Sequence, residues 1–189
     1  MLHGELDLSG VLHQLDAWGE AFPDREALGR AALSAAQGLV RELGQSFPAV
    51  ISNCVLGGLA LPFQRAWITS RANWGDLLST LGTIHLGTLA GATRPGGQAL
   101  LVVDVATSLR TPALVELRGR SGDELHEFVT EAQAAGGLAL RPDPSDLARQ
   151  LSAPGLRSLV SDLQLSTPWL WSRDTDTRLV YSLGFTHPR

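Results

Sequence analysis

The side chains of this chain that carry chemistry are few and scattered. Five histidines stand at positions 3, 13, 85, 126 and 187, and none shares an H-x-x-x-H spacing that would bring two imidazoles to one metal. His85 lies in "TIHLGTL" and His126 in "DELHEFV"; because imidazole both ligates metals and titrates near neutrality, these two are the candidate ligands. Cys54, in "SNCVLGG", is the only thiol. A nucleophilic cysteine needs a base and an activating environment, whereas a free cysteine in an apolar strand behaves as a small hydrophobe. In "RDTDTR", Asp174 and Asp176 alternate with threonine, but the glycine and distal glutamate of a calcium loop are missing, so a solvated turn is expected. Trp169 and Trp171, in "STPWLWS", stand two apart and share a face if the segment is extended, where they would line an apolar pocket or an interface.

Other chemistries are removed by what the sequence lacks. All fifteen basic residues are arginine, which excludes a Schiff-base lysine, a P-loop lysine and a Ser-Lys pair. Arginine retains its bidentate recognition of carboxylates. The glycine-rich stretches "LGGLA" and "GATRPGG" lead into expected strands rather than opening a helix that could cradle phosphate. There is no G-x-S-x-G elbow and no adjacent acid pair of the glycosidase kind. With no nucleophile and base to name, the sequence points away from an enzyme.

These residues must be positioned by elements that the patterning outlines. Val11, Leu12, Leu15 and Trp18 predict a short helix over 9–19, and Leu28, Ala32, Ala35, Leu39 and Leu43 a longer one that Gly44 ends. "AVISNCVL" and "LALPFQRAWI" flank Gly57-Gly58 and predict an antiparallel hairpin with Pro62 at a bulge or edge. Asn73 is expected to cap a helix over "WGDLLSTLG". Next come three strand candidates, "TIHLGTLAG", "QALLVVDV" and "PALVELRG", forming a meander. Ser121 and Glu124 make a capping box for "GDELHEFVTEAQAAGG", which Gly136 or Gly137 closes. Two prolines in "RPDPSD" mark a boundary, followed by short helices near 145–151 and 155–163 and the strand candidate "TRLVYSLGF". The expected fold is α+β, an antiparallel sheet covered by helices on one face. Residues 1–140 form the domain and residues 141–189 a C-terminal appendage packed on the same core.

A chain of 189 residues with 44% hydrophobic content can bury one substantial core. Its formal charge of −4 supplies no positive field for a phosphate backbone, so nucleic acid is not an expected partner. The first residues, "MLHGELDLSG", carry acidic groups where a secretory leader carries basic ones, and the apolar run "AVISNCVLGGLALPF" is too short and too broken to span a bilayer. With a single cysteine, a reducing cytoplasmic setting is expected.

Over Leu39–Gln133 the order and spacing of segments resemble a half-repeat of the cytoplasmic haem-utilisation proteins. "ISNCVLGGL" stands where that family has R-N-x-x-A-V-H-E, "NWGDLLSTL" where it has a helix rich in D-L-R and Trp, and "ALLVVDVATSLRTPALVEL" with "SGDELHEFVTEAQ" in place of its last strand pair and helix. Only Asn53 matches the first motif; Ser52 replaces its arginine, Gly58 its histidine, and the strand lysine is absent. No family ligand carries over. The resemblance therefore implies haem, or a similar flat apolar anion, with His85 or His126 supplying an axial bond and arginines pairing the propionates. Two functions of different class result: a non-enzymatic ligand-binding protein using His85, His126, Trp169 and Trp171, or a protein-interaction domain acting as a homodimer.

Overall fold

A computed structural model describes residues 25–59 and 74–189. The elements run α1 (Arg25–Leu43), β1 (Phe47–Asn53), a single-turn α2 (Leu56–Leu59), α3 (Trp74–Ala92), β2 (Thr93–Thr107), a 3₁₀ turn (Pro112–Val115) and α4 (Gly122–Ala134). After these come α5 (Pro144–Leu151), a second 3₁₀ turn (Arg157–Leu159), β3 (Ser161–Leu165), β4 (Trp169–Arg173) and β5 (Asp176–Thr186). The fold is α+β, as expected. The sheet order is β1-β2-β5-β3, with β4 also paired to β5. All pairings are antiparallel except β1 with β2, which is parallel. Residues 141–189 supply β3, β4 and β5, and β5 lies inside the sheet beside β2. The helix expected over 9–19 and the strand expected beyond residue 59 lie outside the described residues.

Alternation along β2 and β5 sets the two faces of the sheet. Ala99, Leu101, Val103 and Val105 of β2 and Leu179, Tyr181, Leu183 and Phe185 of β5 are at most 5% exposed. They pack with Leu86, Leu89 and Ala90 of α3, Val129 of α4, and Leu147 and Leu151 of α5. A bulge in β2 between Asp104 and Ala106 lets Val105 and Ala106 both turn to this core while the register shifts by one. Among the described residues no helix is long and apolar enough to cross a membrane.

Four expectations are corrected. "TIHLGTLAG" is not a strand but the second half of α3. This helix is buried nearly all round, with Leu81, Ile84, Leu86, Leu89 and Ala90 at most 4% exposed, so its sequence lacks the polar stripe that marks a surface helix. Its glycines are packing positions rather than breakers: a Cβ on Gly87 would stand 3.2 Å from Ala36 Cβ, and one on Gly91 2.9 Å from Val40 Cγ2. They let α3 approach α1 closely. Gly57-Gly58 likewise form no hairpin turn; both glycines lie in α2, and among the described strands β1 takes β2 as its partner. "PALVELRG" forms the 3₁₀ turn and following turns, because β5 already occupies the edge of β2 that a meander would need. Leu114 of that segment is buried in the core, at 0% exposed, and Leu117 packs against it half-buried. Finally, the helix expected over 155–163 is a 3₁₀ turn followed by β3.

The local signals that held have clear causes. Ser121 accepts from the Glu124 N–H and Glu124 accepts from the Ser121 N–H, closing the capping box of α4. Gly44 takes φ +69° just after α1, and Gly136 takes φ +71° just after the Ala135 cap of α4. Asp143 caps α5 through the Ser145 N–H at 2.8 Å.

Candidate functional site

Ladder-paired residues project to the same face of a sheet, so the register assigns the face opposite the core row by row. Ile51, Leu100, Gly184 and Gln164 form one row across β1, β2, β5 and β3. Asn53, Val102 and Ser182 form the next, and Asp104, Val180 and Trp169 the third. Thr107, Arg178 and Trp171 close the series. The result is a face of mixed apolar and polar residues on which Ile51 is 69%, Trp171 44% and Trp169 37% exposed. Val180, paired with Trp169, is fully buried.

A polar end bounds this surface. Where β1 stops and the β4–β5 turn folds over it, Cys54, Trp171, Asp174, Thr175, Asp176 and Arg178 line an open cleft of about 380 Å³. Cys54 takes φ +53°, and its N–H donates to the Val102 carbonyl at 2.8 Å, extending the ladder by one residue before the chain turns into α2. Arg178 is held from two sides: Nη1 donates to Asp104 Oδ2 at 2.6 Å and Nε to Asp176 Oδ2 at 2.9 Å. Asp176 Oδ1 also accepts from the Thr107 hydroxyl and, at 3.3 Å, from the Ser108 hydroxyl. The Thr107 bond, with Arg178 beside it, holds the Asp176 carboxyl below its ordinary range, and the Asp176 bond raises the guanidinium. The floor under the turn is stiff as well. Thr177 is 0% exposed, donates its N–H to Ser108 Oγ at 2.9 Å, and its hydroxyl receives Nε and Nη2 of Arg118 at 2.8 and 2.6 Å.

Burial, with the Asp104 carboxylate nearby, pushes the Cys54 thiol above its usual range, so it stays protonated at neutral pH. Among the described residues lining the cleft there is no imidazole to deprotonate it. Among the described residues no cluster of three His, Cys, Asp or Glu could hold a metal ion.

The four candidate residues read from the sequence do not form one site. Trp169 and Trp171 share the open face, as an extended strand requires. His85 lies on the opposite side of the sheet, on α3, 7% exposed, with its Nε2 2.6 Å from the hydroxyl of Ser52 on β1. Burial lowers its imidazole to about 4, so it is neutral at physiological pH. His126 is exposed on α4. The Ser52–His85 pair has the atoms of a nucleophile and base, but Ser52 is only 6% exposed and the pair is packed between helix and sheet. It satisfies two buried polar groups.

Sequence reasoning missed Asp104, Arg178 and Ser52. Asp104 and Arg178 interrupt apolar strand sequences, "LLVVDVA" and "TRLVYSL", at the positions whose parity places them off the core. Parity thus held the signal, but only the register joins the two into an ion pair. No family model, no curated protein and no solved structure matches the chain.

Proposed function

We propose that the protein is a non-enzymatic interaction module that holds a polypeptide on its open sheet face. The carrying observation is the set of Ile51, Leu100, Val102, Trp169 and Trp171, drawn from four successive rows on one face of the described five-stranded sheet, whose other face is filled by the helices. Contiguous exposed apolar surface is costly to leave in water and marks interaction sites. Tryptophan is also the side chain most often found at the energetic centre of such contacts.

The test is selection from a displayed random-peptide library against the wild-type protein and against a Trp169→Ser/Trp171→Ser variant. Peptides enriched only by the wild type support the reading. Identical enrichment by both proteins, or none by either, overturns it. A second copy of the chain is the other occupant of interest, since a two-fold pairing would place the same face of two molecules together. Sedimentation across concentration, repeated on the variant, distinguishes this case.

A flat apolar ligand such as haem is a second reading, favoured by the two exposed indoles of Trp169 and Trp171, since aromatic rings stack on planar groups. On this reading the ligand lies against Trp169 and Trp171, and His85 does not reach it. A haem titration followed by absorbance tests it: a saturable Soret change lost in the tryptophan variant supports haem, and a flat response removes it.

A further inference from the structure

We infer that the open face takes a polypeptide segment carrying an arginine or lysine beside its apolar residues, with the cationic head seated in the cleft next to Trp171. This rests on the interaction reading and adds the chemistry of the partner. The argument is charge complementarity at the end of the apolar rows. Asp174 and Asp176 line the cleft and Asp104 stands behind it; among the described residues the cations set against these three carboxylates are Arg178 and, beneath the turn on Thr177, Arg118. Arg178 is already bridged to Asp104 and Asp176, so it has little left to offer an anion, and the surplus of the cleft is negative. Asp174, at the tip of the β4–β5 turn, is exposed and has no ion-pair partner among the described residues. Trp171 supplies the wall. An indole face within reach of a cation contributes attraction of its own, and a guanidinium can stack on it while pairing a carboxylate.

Continuity decides between a free cation and a side chain. Trp171 belongs both to the cleft and to the apolar rows, so a basic head in the cleft places its stem and flanking residues over Trp169 and Val102. The stems of lysine and arginine are themselves apolar and lie along such surfaces. The neighbouring hydroxyls of Thr107 and Ser108 are spent on Asp176, which keeps that carboxylate fixed rather than free to swing away.

The probes are N-acetyl-arginine amide and its uncharged isostere N-acetyl-citrulline amide, titrated into the ¹⁵N-labelled protein, with the Trp171 indole N–H signal assigned from its loss in Trp171→Phe. The expected result is a saturable shift with the arginine compound, weakened by salt, and none with citrulline. Asp174→Asn should weaken binding about fivefold, the loss of one exposed ion pair. Equal shifts with both compounds, or no shift with either, overturn the inference. Because both substitutions are at exposed positions, an unchanged amide spectrum elsewhere verifies the fold. Failure here, with library peptides still requiring Trp169 and Trp171, would remove the cationic partner and leave the interaction reading standing. Should sedimentation show a dimer that the tryptophan variant abolishes, a second copy rather than a basic segment holds the face.

Discussion

Acid should destabilise this protein through His85 before its carboxylates titrate. The imidazole is 7% exposed, its ring is hydrogen-bonded to Ser52, and burial lowers it from 6.5 to about 4. A base whose folded value is depressed binds fewer protons in the native than in the unfolded state over the interval between the two values. Stability is therefore complete above about pH 6.5 and falls as pH drops toward 4, below which both states are protonated and the loss levels off. At 1.36 kcal/mol per unit, the loss is about 1.4 kcal/mol near ~pH 5.5 and about 2.5 kcal/mol near ~pH 4.5. Urea unfolding across this range gives the curve directly, and His85→Gln removes the titrating group while retaining a hydrogen-bonding side chain. The wild type should lose stability over the interval and the variant should stay nearly flat, although less stable than the wild type at neutral pH. Equal slopes in the two proteins would show that His85 is not the group responsible.

The remaining expectations concern packing, capping and the thiol. Gly91→Ala places a Cβ 2.9 Å from Val40 Cγ2, and overpacking of about 1–3 kcal/mol should outweigh the roughly 1 kcal/mol gained in helix propensity. Gly82→Ala, whose Cβ would meet Gln150 and Leu147 at 3.6 and 3.7 Å, should instead raise the melting temperature, so the pair measured together separates the close α1–α3 approach from propensity. Ser121→Ala opens the capping box of α4 and should cost about 1 kcal/mol in denaturant unfolding. Cys54 should react with iodoacetamide more slowly than a free thiol at neutral pH and accelerate only in more alkaline solution, since burial holds it protonated; a rate matching that of a small-molecule thiol would contradict the geometry described for the cleft.

Local chemistry was legible in the sequence where a motif acts over a few residues. The capping box at Ser121 and Glu124, the stop at Gly44, the strand around Val102 and the turn at Asp174 all formed as their residues demand. Reading failed where tertiary context decides. The second half of α3 resembles a strand because a helix buried nearly all round shows no wide polar stripe, and its Gly87 and Gly91 are there for Ala36 and Val40 rather than for turns. "PALVELRG" lost its place in the sheet to β5, some sixty residues later, and no local signal announces such competition.

For the candidate site, the two-residue spacing of Trp169 and Trp171 was enough to place both on one face. Whether that face met helices or solvent depended on the parity of β5 relative to β2, a long-range pairing that spacing within a strand does not fix. The same long-range pairing brings Arg178 to Asp104 across the sheet. His85 and His126, singled out by residue type alone, lie on opposite sides of the distinction that matters: one is sealed in the core and the other is on an outer helix.

The central claim is that the open sheet face is the binding surface. It is tested most directly by calorimetric titration of one library-selected peptide into three proteins: the wild type, Trp169→Ser/Trp171→Ser, and Leu33→Ser, which removes an exposed apolar residue on α1 instead. Loss of buried tryptophan contacts should weaken the first variant by about thirtyfold or more, while the α1 variant binds as the wild type does. Undiminished affinity in the tryptophan variant, or a loss confined to Leu33→Ser, would place the binding surface elsewhere.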